Sequence, residues 1–172
     1  KKSPNIIWAL KHLKVIRNKI TSPRLLEIGP SQGAFMKLSS QLGYSVKGIE
    51  LSSSSIEYAK NNFNFGGNLE LGECRRKQDK ENCVDVVCAF EVLEHSQAPI
   101  EFMENIKTWI GTKGFAFLSV PNSRRLSVRI GRREIQDFPP HHLMYFNKDS
   151  LSSLMERVGF EVLEVNISPL TH

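Results

Sequence analysis

The stretch LLEIGPSQG, Leu25 to Gly33, sets a carboxylate inside an apolar run that ends in a turn of small residues. Gly29 and Gly33 bracket the turn, and glycine there lets the backbone approach a ligand closely. A dinucleotide site calls for GxGxxG, so that a pyrophosphate rests on the N-terminus of the next helix. Here the run is Gly-Pro-Ser-Gln-Gly, then Ala34 and Phe35, with Ser31 in the middle glycine position and the third glycine missing. Glu27 would repel a pyrophosphate, so an NAD site is disfavoured. It suits a cationic ligand. S-adenosyl-L-methionine carries an ammonium and a sulfonium and no phosphate, and an acid near the turn can hold its methionine part directly or through water.

Two further acids extend this reading. Glu50, closing VKGIE, follows Gly33 by 17 residues, near the ~20-residue spacing of a ribose-binding acid. Its carboxylate can accept hydrogen bonds from both ribose hydroxyls. Glu73, after LELG, is placed to meet the adenine amino group, although GECRRK also reads as a solvated loop. Further along, DFPPHHLMYF sets His141 and His142 behind Pro139 and Pro140. The prolines stiffen the backbone, and an imidazole titrates near neutral pH, so either histidine can serve as a base toward an acceptor hydroxyl. The competing reading makes the pair a loop anchor. His95 and Tyr145 are the next candidates for a base, His95 reading more readily as a structural histidine.

The elements that must position these residues alternate along the chain. Ser3 caps and Pro4 starts an N-terminal helix, with Ile6, Leu10, Leu13, Ile16 and Ile20 at helical spacing. RLLEI, YSVKGIE, NLEL, CVDVVCAF and FAFLSV read as strands. GAFMKLSSQLG, SSSSIEYAKNNF, PIEFMENIKTWI and NKDSLSSLMERVG read as helices, GTKG as a turn, and FEVLEVNI as a final alternating strand. Met103 and Trp109 read as core positions. The alternation predicts an α/β fold, a doubly wound, mostly parallel sheet flanked by helices. Pro121 to Phe146 is too long for an ordinary connection and reads as a substrate-side loop leaving a strand end where ligands bind. The 172 residues form a single expected domain, with residues 1–22 its N-terminal helix.

Composition narrows the function classes. Hydrophobic residues are 40% and charged residues 24%, as in ordinary globular proteins, and no run reaches the length of a membrane span. Cys74, Cys83 and Cys88 form no CxxC pair and no pattern with histidine, so no metal site and a reduced, cytoplasmic setting are expected. The net charge of +5 gathers in RRLSVRIGRR, Arg124 to Arg133. That window permits an acidic acceptor, or nucleic acid, without requiring either.

LLEIGPSQGAF, VKGIELS, VDVVCAFEVLEH and GFAFLSVPN, in this order, resemble the successive motifs of class I S-adenosylmethionine-dependent methyltransferases. DFPPHHLMYFNKDSLSSLMERVGFEV resembles the C-terminal signature of the quinone-biosynthesis-like, small-molecule branch. The resemblance spans about residues 24 to 166. It implies a Rossmann-like methyltransferase fold that turns S-adenosyl-L-methionine into S-adenosyl-L-homocysteine. It places Glu27, Gly29, Ser31, Gly33, Glu50, Leu51, Glu73, Phe90 and Glu91 around the cofactor. Ser31 departs from the family's glycine, and the family's final antiparallel strand is not evident. The acceptor is expected to be a small molecule attacking through oxygen, nitrogen or carbon. Nucleic acid is disfavoured, because FEVLEH stands where an Asp/Asn-Pro-Pro-Tyr motif would follow the fourth strand. A non-catalytic cofactor-binding scaffold is the other alternative.

Overall fold

The computed structural model describes residues 4–65, 67–78, 83–125, 128, 131, 135 and 138–167. Ser3, expected to cap the first helix, and Arg129, Arg132 and Arg133 of the basic window lie outside these residues. Five strands form one all-parallel sheet: β1 (Arg24–Ile28), β2 (Ser45–Glu50), β3 (Leu69–Leu71), β4 (Val84–Phe90) and β5 (Ile110–Ser119), in the order β3-β2-β1-β4-β5. Helices α1 (Pro4–Arg17), α2 (Ala34–Gln41), α3 (Ser53–Phe63), α4 (Pro99–Trp109) and α5 (Lys148–Val158) accompany it.

The central strands are apolar on both faces because both faces are covered. Leu25, Val86 and Cys88 face one cluster with Leu13 of α1 and Met36 of α2. Leu26, Val87 and Ala89, one residue out of phase, face the other with Met103 and Ile106 of α4 and Met155 of α5. Met103 is fully buried as expected, while Trp109 is only half-buried and donates Nε1–H to the Arg75 carbonyl at 2.9 Å. Helix boundaries follow side-chain and backbone caps. Ser52 Oγ accepts from Ser55 N–H at the start of α3. Asn147 forms a reciprocal capping box with Ser150 at the start of α5, which Gly159 ends at φ 85°.

Chain order reverses between β1 and β4, so a crevice opens at their carboxyl ends, the usual ligand position in such sheets. The turn after β1 and the segment after β4 flank it.

Two sequence expectations are corrected. GTKG is no free turn. It lies within β5, where the register jumps from Val84↔Ile110 to Val86↔Phe115, so the extra residues are absorbed as a bulge. FEVLEVNI forms no strand. Phe160 and Val162 pack toward α4 and α5, and Glu164 turns to α1, accepting from Trp8 Nε1–H at 3.1 Å and lying 3.4 Å from His12 Nε2. Residues 160–167 therefore stand off from β5, and a cavity of about 1300 Å³ opens between them, that strand and α1.

Candidate active site

Glu27 is the fourth residue of β1, paired in register with Gly48 on one side and Cys88 on the other. Its side chain is only 4% exposed, and Oε2 has no hydrogen-bond partner among the described residues. Burial pushes its carboxyl from 4.5 up to about 8, against a backbone hydrogen bond from Met36 and with a smaller push from the Glu50 charge. In the free protein it is therefore mostly neutral at pH 7, and a cation arriving beside it would favour the ionised form.

The turn after β1 is left-handed at three points: Gly29 at φ 68°, Ser31 at φ 50° and Gly33 at φ 80°. A Cβ on Gly29 would come within 2.7 Å of Val92 Cγ2, and one on Gly33 within 3.1 Å of the Ala59 side chain. The two glycines thus give the turn its shape and keep it thin. Ser31 adopts a glycine-like conformation without being glycine, at a cost on the order of 1 kcal/mol. Ser31→Gly is expected to leave the turn intact and to raise stability by about 1 kcal/mol or less, since glycine loses more entropy on folding. Thermal unfolding checks it, and a lower Tm would show that glycine's entropy loss outweighs the strain relieved.

Glu50 holds that strained serine. Its Oε2 accepts from Ser31 N–H at 2.8 Å, and its Oε1 from Ser52 N–H at 2.9 Å. Each carboxylate oxygen keeps a further acceptor site, enough for a pair of ligand hydroxyls. Leu51, the next residue, leaves its side chain 70% exposed at the strand end. Gly72 N–H donates to the Glu50 carbonyl at 3.0 Å, which sets exposed Glu73 at the neighbouring strand end. Phe90 closes β4 with its ring edge-on to Phe35 of α2 at 4.8 Å. Glu91 then turns left-handed at φ 55°, its N–H donating to the Ser119 carbonyl and its Oε1 accepting from Ser119 Oγ at 2.7 Å. Strained backbone of this kind concentrates at functional sites.

Beyond Glu91, a single 3₁₀ turn (Leu93–His95) meets the late loop. The Glu94 carbonyl accepts from both Leu143 and Met144 N–H, at 2.9 and 3.0 Å. His95 Nδ1 bonds the His141 carbonyl. The His95 and His142 rings meet edge-on, their centroids 5.0 Å apart. His142 thus joins His95 beside the β4 exit, while the exposed His141 takes part through its backbone. Tyr145 is half exposed, and Arg124 pairs with Asp149 at 3.1 Å on the surface.

Sequence reasoning missed Glu94. It is 1% exposed, and neither carboxylate oxygen has a hydrogen-bond partner among the described residues. Burial raises its carboxyl to about 7, with a smaller push from the Glu91 charge. The only local signal was an acid directly after a core leucine in VLEH. It missed Ser119 as well, which becomes visible only once β5 is paired beside β4.

Comparison with known proteins agrees with this fold. Residues 8–165 match the family model described as a methyltransferase domain. No curated protein sequence matches the chain. A SAM-dependent methyltransferase from Archaeoglobus fulgidus superposes with a TM-score of 0.69 at 18% identity, over 90 or so percent of this chain (91%) and 69% of the other. The plantazolicin methyltransferase BpumL, solved with a triazolic desmethylPZN analogue and SAH, gives 0.71 at 15% identity, over 91% of this chain and 64% of that one. The [4+2]-cyclase SpnF gives 0.69 at 16% identity, over 91% and 58%. The chain thus spans roughly three-fifths to two-thirds of these structures' lengths, and at such identities the likeness shows a shared fold, one that also hosts a cyclase. The family match goes further and shows that this chain belongs to the methyltransferase domain family, with the fold of class I S-adenosylmethionine-dependent methyltransferases.

Proposed function

We propose that the chain transfers a methyl group from S-adenosyl-L-methionine to an oxygen, nitrogen or carbon nucleophile of a small-molecule acceptor, working as one unit over residues 1–172. The observation that carries the reading is the clasp at the strand ends, where Glu50 ties the left-handed Ser31 turn to the start of α3 while Glu27, its Oε2 without a partner among the described residues, lies buried beneath. These residues fit the cofactor. Glu50 offers acceptors for the ribose hydroxyls, exposed Leu51 an apolar surface for the adenine, and Glu73 an acceptor for its amino group. Gly29, Ser31 and Gly33 leave room for the methionine part, whose ammonium Glu27 would meet. Phe90 and Glu91 form the opposite wall.

The bound cofactor supplies an activated methyl on a sulfonium. The protein aligns the acceptor for in-line attack, excludes water and eases loss of the acceptor's proton. The corner of His95, Glu94 and His142 serves that last task, with His141 shaping it through its carbonyl. Helix α1 and the described residues at the two ends of the late loop, Pro121, Asn122 and Phe146 among them, border the acceptor side. An acceptor of low molecular weight is supported by FEVLEH after β4 and by the plantazolicin methyltransferase among the fold neighbours. A cytoplasmic setting is supported by Cys74, Cys83 and Cys88, none of which forms a disulfide among the described residues. No helix among the described residues is long and apolar enough to cross a membrane.

Calorimetry with S-adenosylhomocysteine and with NAD, followed by labelled-methyl transfer into a metabolite extract and into RNA, tests the reading. S-adenosylhomocysteine binding and label in small molecules are expected. Label confined to RNA would overturn the acceptor class, and tight NAD binding without S-adenosylhomocysteine binding would overturn the whole.

A further inference from the structure

We propose that Glu94, His95 and His142 form a binding site for a divalent transition-metal ion of the zinc–cobalt class. The carboxylate oxygen and the two ring nitrogens these residues offer all lie within 4.8 Å of one another. Donor atoms bound about 2.0–2.2 Å from one ion stand about 3–4 Å apart. A contraction of about 1 Å or less therefore brings the three onto a common centre.

Glu94 supplies the independent reason for an ion. A carboxylate 1% exposed with neither oxygen hydrogen-bonded among the described residues is a costly arrangement for a protein interior. The nearest imidazole does not relieve it: His95 Nε2 lies 4.0 Å from Glu94 Oε1, too far for a hydrogen bond. The tautomer of His95 sharpens the point. The His141 carbonyl can only accept, so His95 Nδ1 carries the hydrogen, and in the neutral ring Nε2, 4.0 Å from Glu94 Oε1, keeps its lone pair. Two acceptors across 4 Å leave room for a cation between them. A ring nitrogen fixed by a backbone carbonyl while the other faces the centre is the usual support of a metal-bound histidine.

The frame is fixed from outside the cluster. Leu143 and Met144 N–H both bond the Glu94 carbonyl, which brings His142 to the 3₁₀ turn across a long sequence separation. Glu91 adds a second acid nearby, close enough for its charge to be felt at Glu94. One carboxylate and two imidazoles suit zinc or cobalt better than magnesium or calcium, which favour all-oxygen ligands. Three protein donors leave at least one position open for water or an acceptor oxygen. An oxygen bound there loses its proton more readily, which is how this corner would ease the transfer. That consequence rests on the proposed function; the site itself does not.

The experiment uses the metal-free chain alone, without cofactor or acceptor. Titration with Co²⁺ should give saturable visible absorption of a nitrogen–oxygen site, which Zn²⁺ displaces, and Zn²⁺ should raise the Tm. His142→Ala and Glu94→Gln, checked for folding by circular dichroism, should each weaken Co²⁺ binding by about tenfold to a hundredfold or more. His12→Ala, on α1, should leave binding unchanged. Unaltered affinity in both site variants overturns the proposal, as does a wild-type chain that gives no spectral change. An intense thiolate band would also overturn it, by placing the ion on the cysteines.

Discussion

Glu50→Ala should bind S-adenosylhomocysteine at least about a hundredfold more weakly than the unaltered chain. Two hydrogen bonds to a charged acceptor, at about 1.5 kcal/mol or more each, are worth about 3 kcal/mol, or two decades in affinity. The structure adds a second loss. The Glu50 carboxylate already accepts from Ser31 and Ser52 N–H, and the Ser31 bond fixes a residue at φ 50°. Without the carboxylate, the turn proposed to carry the methionine part is free to relax. Glu50→Gln separates the two roles. Its amide has one oxygen where two are needed, so an NH₂ group must face one of the two backbone N–H donors. Glu50→Gln should therefore fall close to Glu50→Ala, although it is nearly isosteric. Calorimetry on both variants reads the effect. Near-normal affinity for Glu50→Ala would place the ribose elsewhere.

The parts of this site legible in the sequence are those whose chemistry is local. Glu27, Gly29, Ser31 and Gly33 are nearly contiguous, and a fixed spacing sets Glu50 on the adjacent strand. What the sequence hid depends on pairing between distant segments. GTKG has turn composition, yet β4 takes it into a strand, because β5 can resume its register at Phe115 after the bulge. Residues 160–167 alternate as a strand would, but period-two alternation reports burial on one side, not a hydrogen-bonded neighbour. Here Phe160 and Val162 bury themselves against the helices, and Glu164 is drawn to Trp8 and His12. Glu94 was illegible for the same reason. Its surroundings are completed by Leu143 and Met144, which only the folded loop brings to it.

The second large effect concerns the buried acid of β1. Glu27 titrates near 4.5 when unfolded and at about 8 when folded, chiefly because burial disfavours its charge. Between these values the folded chain holds a proton that the unfolded chain has released. The stability due to neutral Glu27 is complete below about pH 4.5 and drains away as pH rises toward about 8, at up to ~1.4 kcal/mol per pH unit. Glu27→Gln stays neutral throughout. It should remove that one-proton slope from a plot of unfolding free energy against pH, leaving the variant the more stable near pH 8 by several kcal/mol. Cofactor binding should respond in the opposite sense. If the carboxylate meets the ammonium, it must ionise, so binding below about pH 8 should expel a proton and tighten as pH rises, by up to about tenfold per unit. Calorimetry in buffers of different ionisation enthalpy measures that proton directly. Glu27→Gln should bind more weakly, with heats that no longer depend on the buffer through this group. If wild type and variant showed the same pH slope in unfolding and the same buffer dependence in binding, Glu27 would be a structural acid, and the ammonium would have to be held by another group.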